Sequence, residues 1–225
     1  MESVIKVSIA DVIGQQDNVK RLGGLLYAFG EGRRIPNIVL YGKPGMGKTM
    51  SMRAVTDVHP NLKTILLSYN HINRLGELMS KLQKLPYQVV AYVDDMHFPA
   101  GFDIEHFKTQ TCGVKDDWPS NFVLVVSVNP EAFDHLPSSI KGRFGIALDY
   151  NKELNRTHWG RVFEVTAAQY GMEDKVDELW RGFLSDKNPS PQYFARKLNG
   201  RQIRDYIVEQ KAMAGLNLPS ELKIY

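Results

Sequence analysis

Cysteine is almost missing from this 225-residue chain, with Cys112 the only one. A single thiol closes no internal disulfide, and its neighbours Thr111 and Gly113 supply no Cys or His at a metal-binding spacing. A reducing compartment fits best. Long hydrophobic runs are missing as well: no segment approaches the roughly 20 apolar residues needed to cross a bilayer. The opening stretch MESVIKVSIADVIG has neither the basic start nor the long apolar centre of a secretory signal. These features predict a cytoplasmic protein with no membrane partner. Charge of one sign is also lacking. Lys and Arg number 28 against 25 Asp and Glu, a net charge of +3. That permits contact with nucleic acid without building the field that would demand it. There is no internal repeat and no low-complexity segment.

What is present is enough apolar sequence, 43%, to bury the core of one α/β domain with a small appendage. Five β-branched or apolar runs stand out: NIVLYG from Asn37, KTILLS from Lys63, QVVAYVDD from Gln88, NFVLVVSV from Asn121 and GIALDY from Gly145. None alternates cleanly, so all five are expected to be buried on both faces, as in a parallel sheet covered by helices. Helical periodicity fills the intervals at Gln15–Phe29, Lys48–Val58 and Ile72–Leu85, and more weakly around Glu105–Thr111. After Tyr150 the strands stop and helices are expected over Glu153–Tyr170, Asp174–Ser185, Pro191–Leu198 and Gln202–Ala214. The division predicted is an α/β core over residues 1–150 and a helical lid over 151–225. In the lid, Trp159 shares an amphipathic stripe with Leu154, Val162, Phe163 and Val165 and is expected in the lid core.

The stretch Gly42-Lys43-Pro44-Gly45-Met46-Gly47-Lys48-Thr49 fits G-x-x-x-x-G-K-[ST] and lies between an expected buried strand and an expected helix, the context that this motif requires. Glycines let main-chain N–H groups converge on phosphate oxygens without Cβ obstruction. Lys48 is placed to contact the β and γ phosphates, and the Thr49 hydroxyl to coordinate Mg²⁺. Gly42, Pro44, Gly45, Met46, Gly47, Lys48, Thr49 and Met50 are the candidate nucleotide-binding residues here, with ATP and Mg²⁺ the expected ligands. The run VVAYVDD then puts Asp94 and Asp95 at the exit of a second strand, the end where parallel sheets hold ligands. Asp94 is the candidate for the Mg²⁺ shell. Asp95 is the candidate to orient or deprotonate the attacking water. A glutamate is commoner at that place, and the shorter aspartate points to slow hydrolysis or to help from a close neighbour.

With these motifs in hand, the chain resembles the AAA+ ATPases over almost its whole length. DVIGQQDNVKRL resembles the segment folded over the adenine in that family, which implicates Val12, Ile13 and Gly14. VLVVSVNP resembles the strand ending in a polar sensor, here Asn129. LPSSIKGRFG resembles the segment that presents an arginine finger to a neighbouring subunit, here Arg143. LNGRQIRDYI resembles the lid helix with the second sensor arginine, Arg201, with Arg204 as the close competitor. PYQVVAYVDDMHF, NFVLVVSVNP, GRFGIALDY and LNGRQIRDYI together are similar to a bacterial group of single-domain AAA+ ATPases described as of unknown function. VDDMHFPAG is similar to the acidic motif of replication initiators and helicase loaders, and VIGQQDNVKRL to clamp loaders.

The resemblance implies an oligomeric ATP hydrolase, a homo-oligomeric ring or filament whose nucleotide state drives remodelling or loading of a macromolecular partner. DNA is one possible partner. The basic residues Arg33, Arg34, Arg196, Lys197, Arg201 and Arg204 could track phosphates, but net charge is small and no aromatic residues interleave with them for base stacking, so a solvated positive face is the favoured reading. The loop SYNHINRLGEL carries Tyr69 but not the aromatic-apolar-glycine triplet of polypeptide-threading machines. Of the six histidines, only His97 lies near the acidic pair. The alternative functions are an ATP-gated binding module with slow or incidental hydrolysis, and a P-loop kinase acting on a small molecule.

Overall fold

In the computed structural model, which describes residues 7–72, 74–96, 105, 107–108, 118–187, 193–194 and 198–214, the five apolar runs form strands. They are β1 Ile38–Tyr41, β2 Leu62–Leu67, β3 Gln88–Val93, β4 Phe122–Val128 and β5 Ile146–Asp149. All pairings are parallel, in the order β2-β3-β4-β1-β5. The strand order turns beside β1, so the loop after β1 opens where sheets of this kind accept ligands.

Burial on both faces holds for β1, β3 and β4 but not for β2 and β5. These two are the sheet edges. Leu66 in β2 is 71% exposed, and Ala147 and Asp149 in β5 face solvent. An apolar run does not reveal whether a strand has one neighbour or two, which is why the expectation failed there.

Helix α1 (Gln16–Gly30) buries Val19, Leu22, Leu26 and Phe29 along one stripe, as its periodicity requires. Helix α2 (Lys48–Ala54) is shorter than expected. Beyond it the Thr56 hydroxyl donates to the Arg53 carbonyl oxygen at 3.0 Å, a side-chain bond that competes with helix propagation. Of the helix expected over Ile72–Leu85, α4 (Leu75–Leu82) forms, and a separate short helix, α3 (Tyr69–Ile72), precedes it in the stretch expected as a loop. Past α4, the Asn121 amide nitrogen lies 3.1 Å from each of the carbonyl oxygens of Leu82, Leu85 and Tyr87, giving that stretch a polar partner without helix. Two short helices, α5 (Pro130–Asp134) and α6 (Ser138–Lys141), follow β4. On one face of the sheet, Val39, Val89, Val93 and Val126 pack with Leu75, Met79 and Ile140.

The chain divides into two compact units between Lys152 and Glu153. The second is helical, with α7 (Arg156–Gln169), α8 (Val176–Lys187) and α9 (Gly200–Met213). Trp159, Phe163, Phe183, Ile203 and Ile207 are its buried centre, and the Trp159 indole N–H donates to the Phe194 carbonyl at 2.8 Å. Trp159 is thus a core residue of this unit. The expected helices around Glu105–Thr111 and Pro191–Leu198 lie largely outside the described residues, as do His97, His106, Cys112, Arg196 and Lys197. Among the described residues no helix is long and apolar enough to cross a membrane.

Candidate nucleotide site

The glycine loop follows β1, and its glycines have different reasons to be there. Gly45 (φ 74°) and Gly47 (φ 91°) hold left-handed backbone that side-chain-bearing residues avoid. At Gly42, where φ is also positive at 156°, a Cβ would lie 2.7 Å from the Tyr150 Cβ and 2.8 Å from its carbonyl carbon, so packing adds to the backbone angle in requiring glycine. Lys48 begins α2 and is 7% exposed; its ammonium donates to the carbonyl oxygens of Gly42 and, at 3.0 Å, Lys43. The lysine is thereby folded back across the loop. Pro44 is exposed, Met46 is buried, and Met50 is half-buried in the first turn of α2.

The N-terminal segment lies against this loop. Val12 and Ile13 are buried, and Gly14 takes a left-handed φ of 76°. A Val12 methyl stands 3.4 Å from the place a Cβ on Gly47 would occupy. Asn18 secures the segment: its amide donates to Gln15 Oε1 at 2.9 Å and to the Asp149 carbonyl at 2.7 Å, at the end of β5.

β3 ends at Val93, which brings Asp94 and Asp95 to the carboxyl edge of the sheet. The Thr49 hydroxyl is 3.0 Å from both carboxylate oxygens of Asp94. Tyr92 and Ser127 each donate a hydroxyl hydrogen to Asp94 Oδ1 at 2.7 Å. Burial pushes the Asp94 carboxyl up, but the hydrogen bonds from Ser127, Tyr92 and Thr49 together outweigh it and hold the group below the usual aspartate range. Burial, reinforced by the neighbouring Asp94 charge, pushes the Tyr92 phenol well above its ordinary value. Asp95 has a left-handed φ of 50°. Its N–H donates to Ser127 Oγ at 2.7 Å, and its Oδ1 accepts from the Asn129 amide at 2.8 Å.

The donor set fits Mg²⁺: a threonine hydroxyl and an ionised carboxylate are hard oxygen ligands, and Mg²⁺ is usually held by one or two such groups plus substrate phosphates. Among the described residues no group of three or more His, Cys, Asp or Glu could hold a metal by itself. A cation here would draw on the Thr49 hydroxyl and the Asp94 carboxylate and take its remaining ligands from water or a bound substrate.

Thr49, Asp94, Asp95 and Asn129 are brought together. Arg143 is not with them. It precedes β5, its carbonyl accepts from the Asn37 amide at 3.4 Å, and Asn37 stands at the opposite end of β1 from the glycine loop. The Arg143 Nε is buried and has no hydrogen-bond partner among the described residues. Arg201 and Arg204 are exposed on α9 of the helical unit. Arg204 pairs with Asp205 at 2.8 Å.

Ser127, Tyr92 and Asn18 were not singled out from sequence. Ser127 was detectable in principle: it is the one hydroxyl in the run FVLVVSV, and a polar side chain on a strand buried on both faces needs a hydrogen-bond partner.

Residues 1–136 match the family described as "Protein of unknown function (DUF815)". Among curated proteins, the chain is similar to the Holliday junction branch migration complex subunit RuvB of Mycoplasma pneumoniae, 24% identical over 223 residues, covering 91% of this chain and 69% of that protein. Among solved structures it is similar to the Thermotoga maritima RuvB Holliday junction branch migration motor, with TM-score 0.55, 19% identity, and coverage of 92% of this chain and 71% of that one. It is also similar to a chain of the E. coli HORMA:CdnC:Trip13 complex, with TM-score 0.57, 14% identity, and coverage of 89% and 90%. The five-stranded parallel sheet, the glycine loop and these likenesses agree, and the chain belongs to the DUF815 family with the fold of the AAA+ P-loop ATPases.

Proposed function

We propose that the protein binds Mg-ATP and hydrolyses it at subunit interfaces of a homo-oligomer, coupling nucleotide state to the remodelling or loading of a macromolecular partner. The observation that carries the reading is the continuous set Thr49–Asp94–Asp95–Asn129 beside a loop spanned by the Lys48 ammonium. Val12, Ile13 and Gly14 would border the base, and loop amides with Lys48 would hold the phosphates. Mg²⁺, held through Thr49 and Asp94, would neutralise charge on the phosphate oxygens. Asp95, steered by the Asn129 amide, would orient the attacking water and accept its proton as the phosphorus–oxygen bond to the leaving ADP breaks. Arg143 would act on a neighbour's nucleotide. Arg201 is preferred over Arg204 as the second sensor, because Arg204 is already paired with Asp205. RuvB, named for branch migration at Holliday junctions, makes DNA a reasonable partner to test first.

Steady-state phosphate release measures the reading directly. Lys48→Ala should reduce it to background. Asn129→Ala should lower turnover by roughly 10²-fold or more, the scale of removing one positioned donor, while nucleotide binding persists. A specific feature favours a second reading, an ATP-gated binding module: the short Asp95 carboxylate is already engaged by Asn129. Tight Mg-ATP binding and nucleotide-dependent assembly, with negligible release alone or with DNA, would select it.

A further inference from the structure

One buried hydroxyl touches both acidic residues. Ser127 is 1% exposed in β4; it donates to Asp94 Oδ1 at 2.7 Å and accepts from the Asp95 N–H at 2.7 Å. Tyr92, on the adjacent strand, donates to the same Oδ1 at 2.7 Å. A carboxylate oxygen offers about two lone-pair sites, so these two hydroxyls saturate Oδ1. Thr49, equidistant from both oxygens at 3.0 Å, then has Oδ2 as the oxygen with capacity to spare. On the other side, the bond from Asp95 N–H to Ser127 fixes the main chain in its left-handed turn. Asp95 is a methylene shorter than glutamate, so the reach of its carboxylate to Asn129 depends more heavily on where the main chain points.

We propose that Ser127 is a positioning residue that sets both acidic side chains at once. With Tyr92 it locks Asp94 so that Oδ2 is left for Thr49 and a bound cation, and by itself it aims the short Asp95 at Asn129. This rests on the Mg-ATP reading above. Ser127 and Tyr92 separate the two halves of the claim, since Ser127 touches both acidic residues and Tyr92 touches Asp94.

The test compares the full-length chain with Ser127→Ala and Tyr92→Phe by three measurements: ADP affinity without divalent cation, Mn²⁺ affinity of the ADP complex by electron paramagnetic resonance, and ATP turnover against Mg²⁺ concentration. Both variants should keep metal-free ADP affinity within about 2-fold while weakening Mn²⁺ by roughly 10-fold or more, the usual scale for losing a partner that orients a ligand. At saturating Mg²⁺, Tyr92→Phe should turn over within about 3-fold of the parent, and Ser127→Ala should remain at least about 10-fold slower. Parental Mn²⁺ affinity in either variant overturns the proposal, as does parental turnover in Ser127→Ala at saturating Mg²⁺. Parallel loss of metal-free ADP binding would make the hydroxyls merely structural and also overturns it. If Ser127→Ala does not fold, Ser127→Cys, whose thiol is a weak donor and acceptor, replaces it in all three measurements with the same expected and overturning outcomes. A parent chain that binds ADP and Mn²⁺ but releases no phosphate overturns the hydrolytic reading and the Asp95 half, leaving the Asp94 half to the Mn²⁺ measurement.

Discussion

The three glycines of the loop look interchangeable in the motif, yet they answer to different forces. Gly45 and Gly47 are selected by backbone angle, whereas Gly42, at φ 156°, is selected in addition by the main chain of Tyr150, 2.8 Å from where its Cβ would stand. Tyr150 cannot retreat cheaply: it is fully buried, and its N–H donates to the Tyr41 carbonyl at 2.8 Å. Burial pushes its phenol up to about 12, so the ring packs as a neutral group across the physiological range. Gly42→Ala should therefore destabilise the nucleotide-free protein by about 1–3 kcal/mol, the usual range for overpacking, read as a lower midpoint in urea. Parental stability in this variant would mean that the end of β5 yields after all. The same distinction marks the limit of motif reading at the residue scale. Contiguous residues such as Lys48 and Thr49 announce their chemistry, but the contact between residues 42 and 150 has no local signature.

At the scale of elements, α9 carries a conflict that points to use. Asn199 and Gln202 form a reciprocal cap, with the Gln202 N–H donating to Asn199 Oδ1 at 3.1 Å and the Asn199 N–H to Gln202 Oε1 at 3.0 Å. Between them Arg201 sets an exposed cation in the first turn, where the helix dipole is unfavourable to it. Arg201→Gln should stabilise the protein slightly, by about 0.3–1 kcal/mol at low salt, while lowering ATP turnover. A variant that is both less stable and fully active would assign Arg201 a structural contact and remove it as the second sensor. Other elements show what the sequence did and did not disclose. The five strands were legible as apolar or β-branched runs, although only β1, β3 and β4 are buried along most of their length; their order was not, since β1 pairs with β4 and β5, both far along the chain. Helices α5 and α6, of five and four residues, are too short to display a period. Asp94 and Asp95 were legible as a pair at a strand exit. Their support from Ser127 was hidden, because it comes from another strand 33 residues on.

For the molecule as a whole, the parallel sheet separates the two ends of the proposed chemistry. Ile38 pairs with Ile146 and Tyr41 with Asp149, so Arg143 leads into the end of β5 remote from the glycine loop. Four residues of strand at roughly 3.3 Å each hold these ends about 13 Å apart. An arginine finger at Arg143, as proposed above, would therefore serve another copy of the chain. This makes a mixing experiment decisive. Lys48→Ala removes a chain's own phosphate contact, and Arg143→Ala removes what it lends to a neighbour; each alone should be inactive. In a randomly assembled equimolar mixture, a site has an intact Lys48 and faces an intact Arg143 about one time in four, given head-to-tail interfaces. Turnover per chain should recover toward about one quarter of the parent value. Mixtures no more active than their separate components would show that Arg143 does not act across an interface, and full activity in Arg143→Ala alone would show that it does not act in catalysis at all.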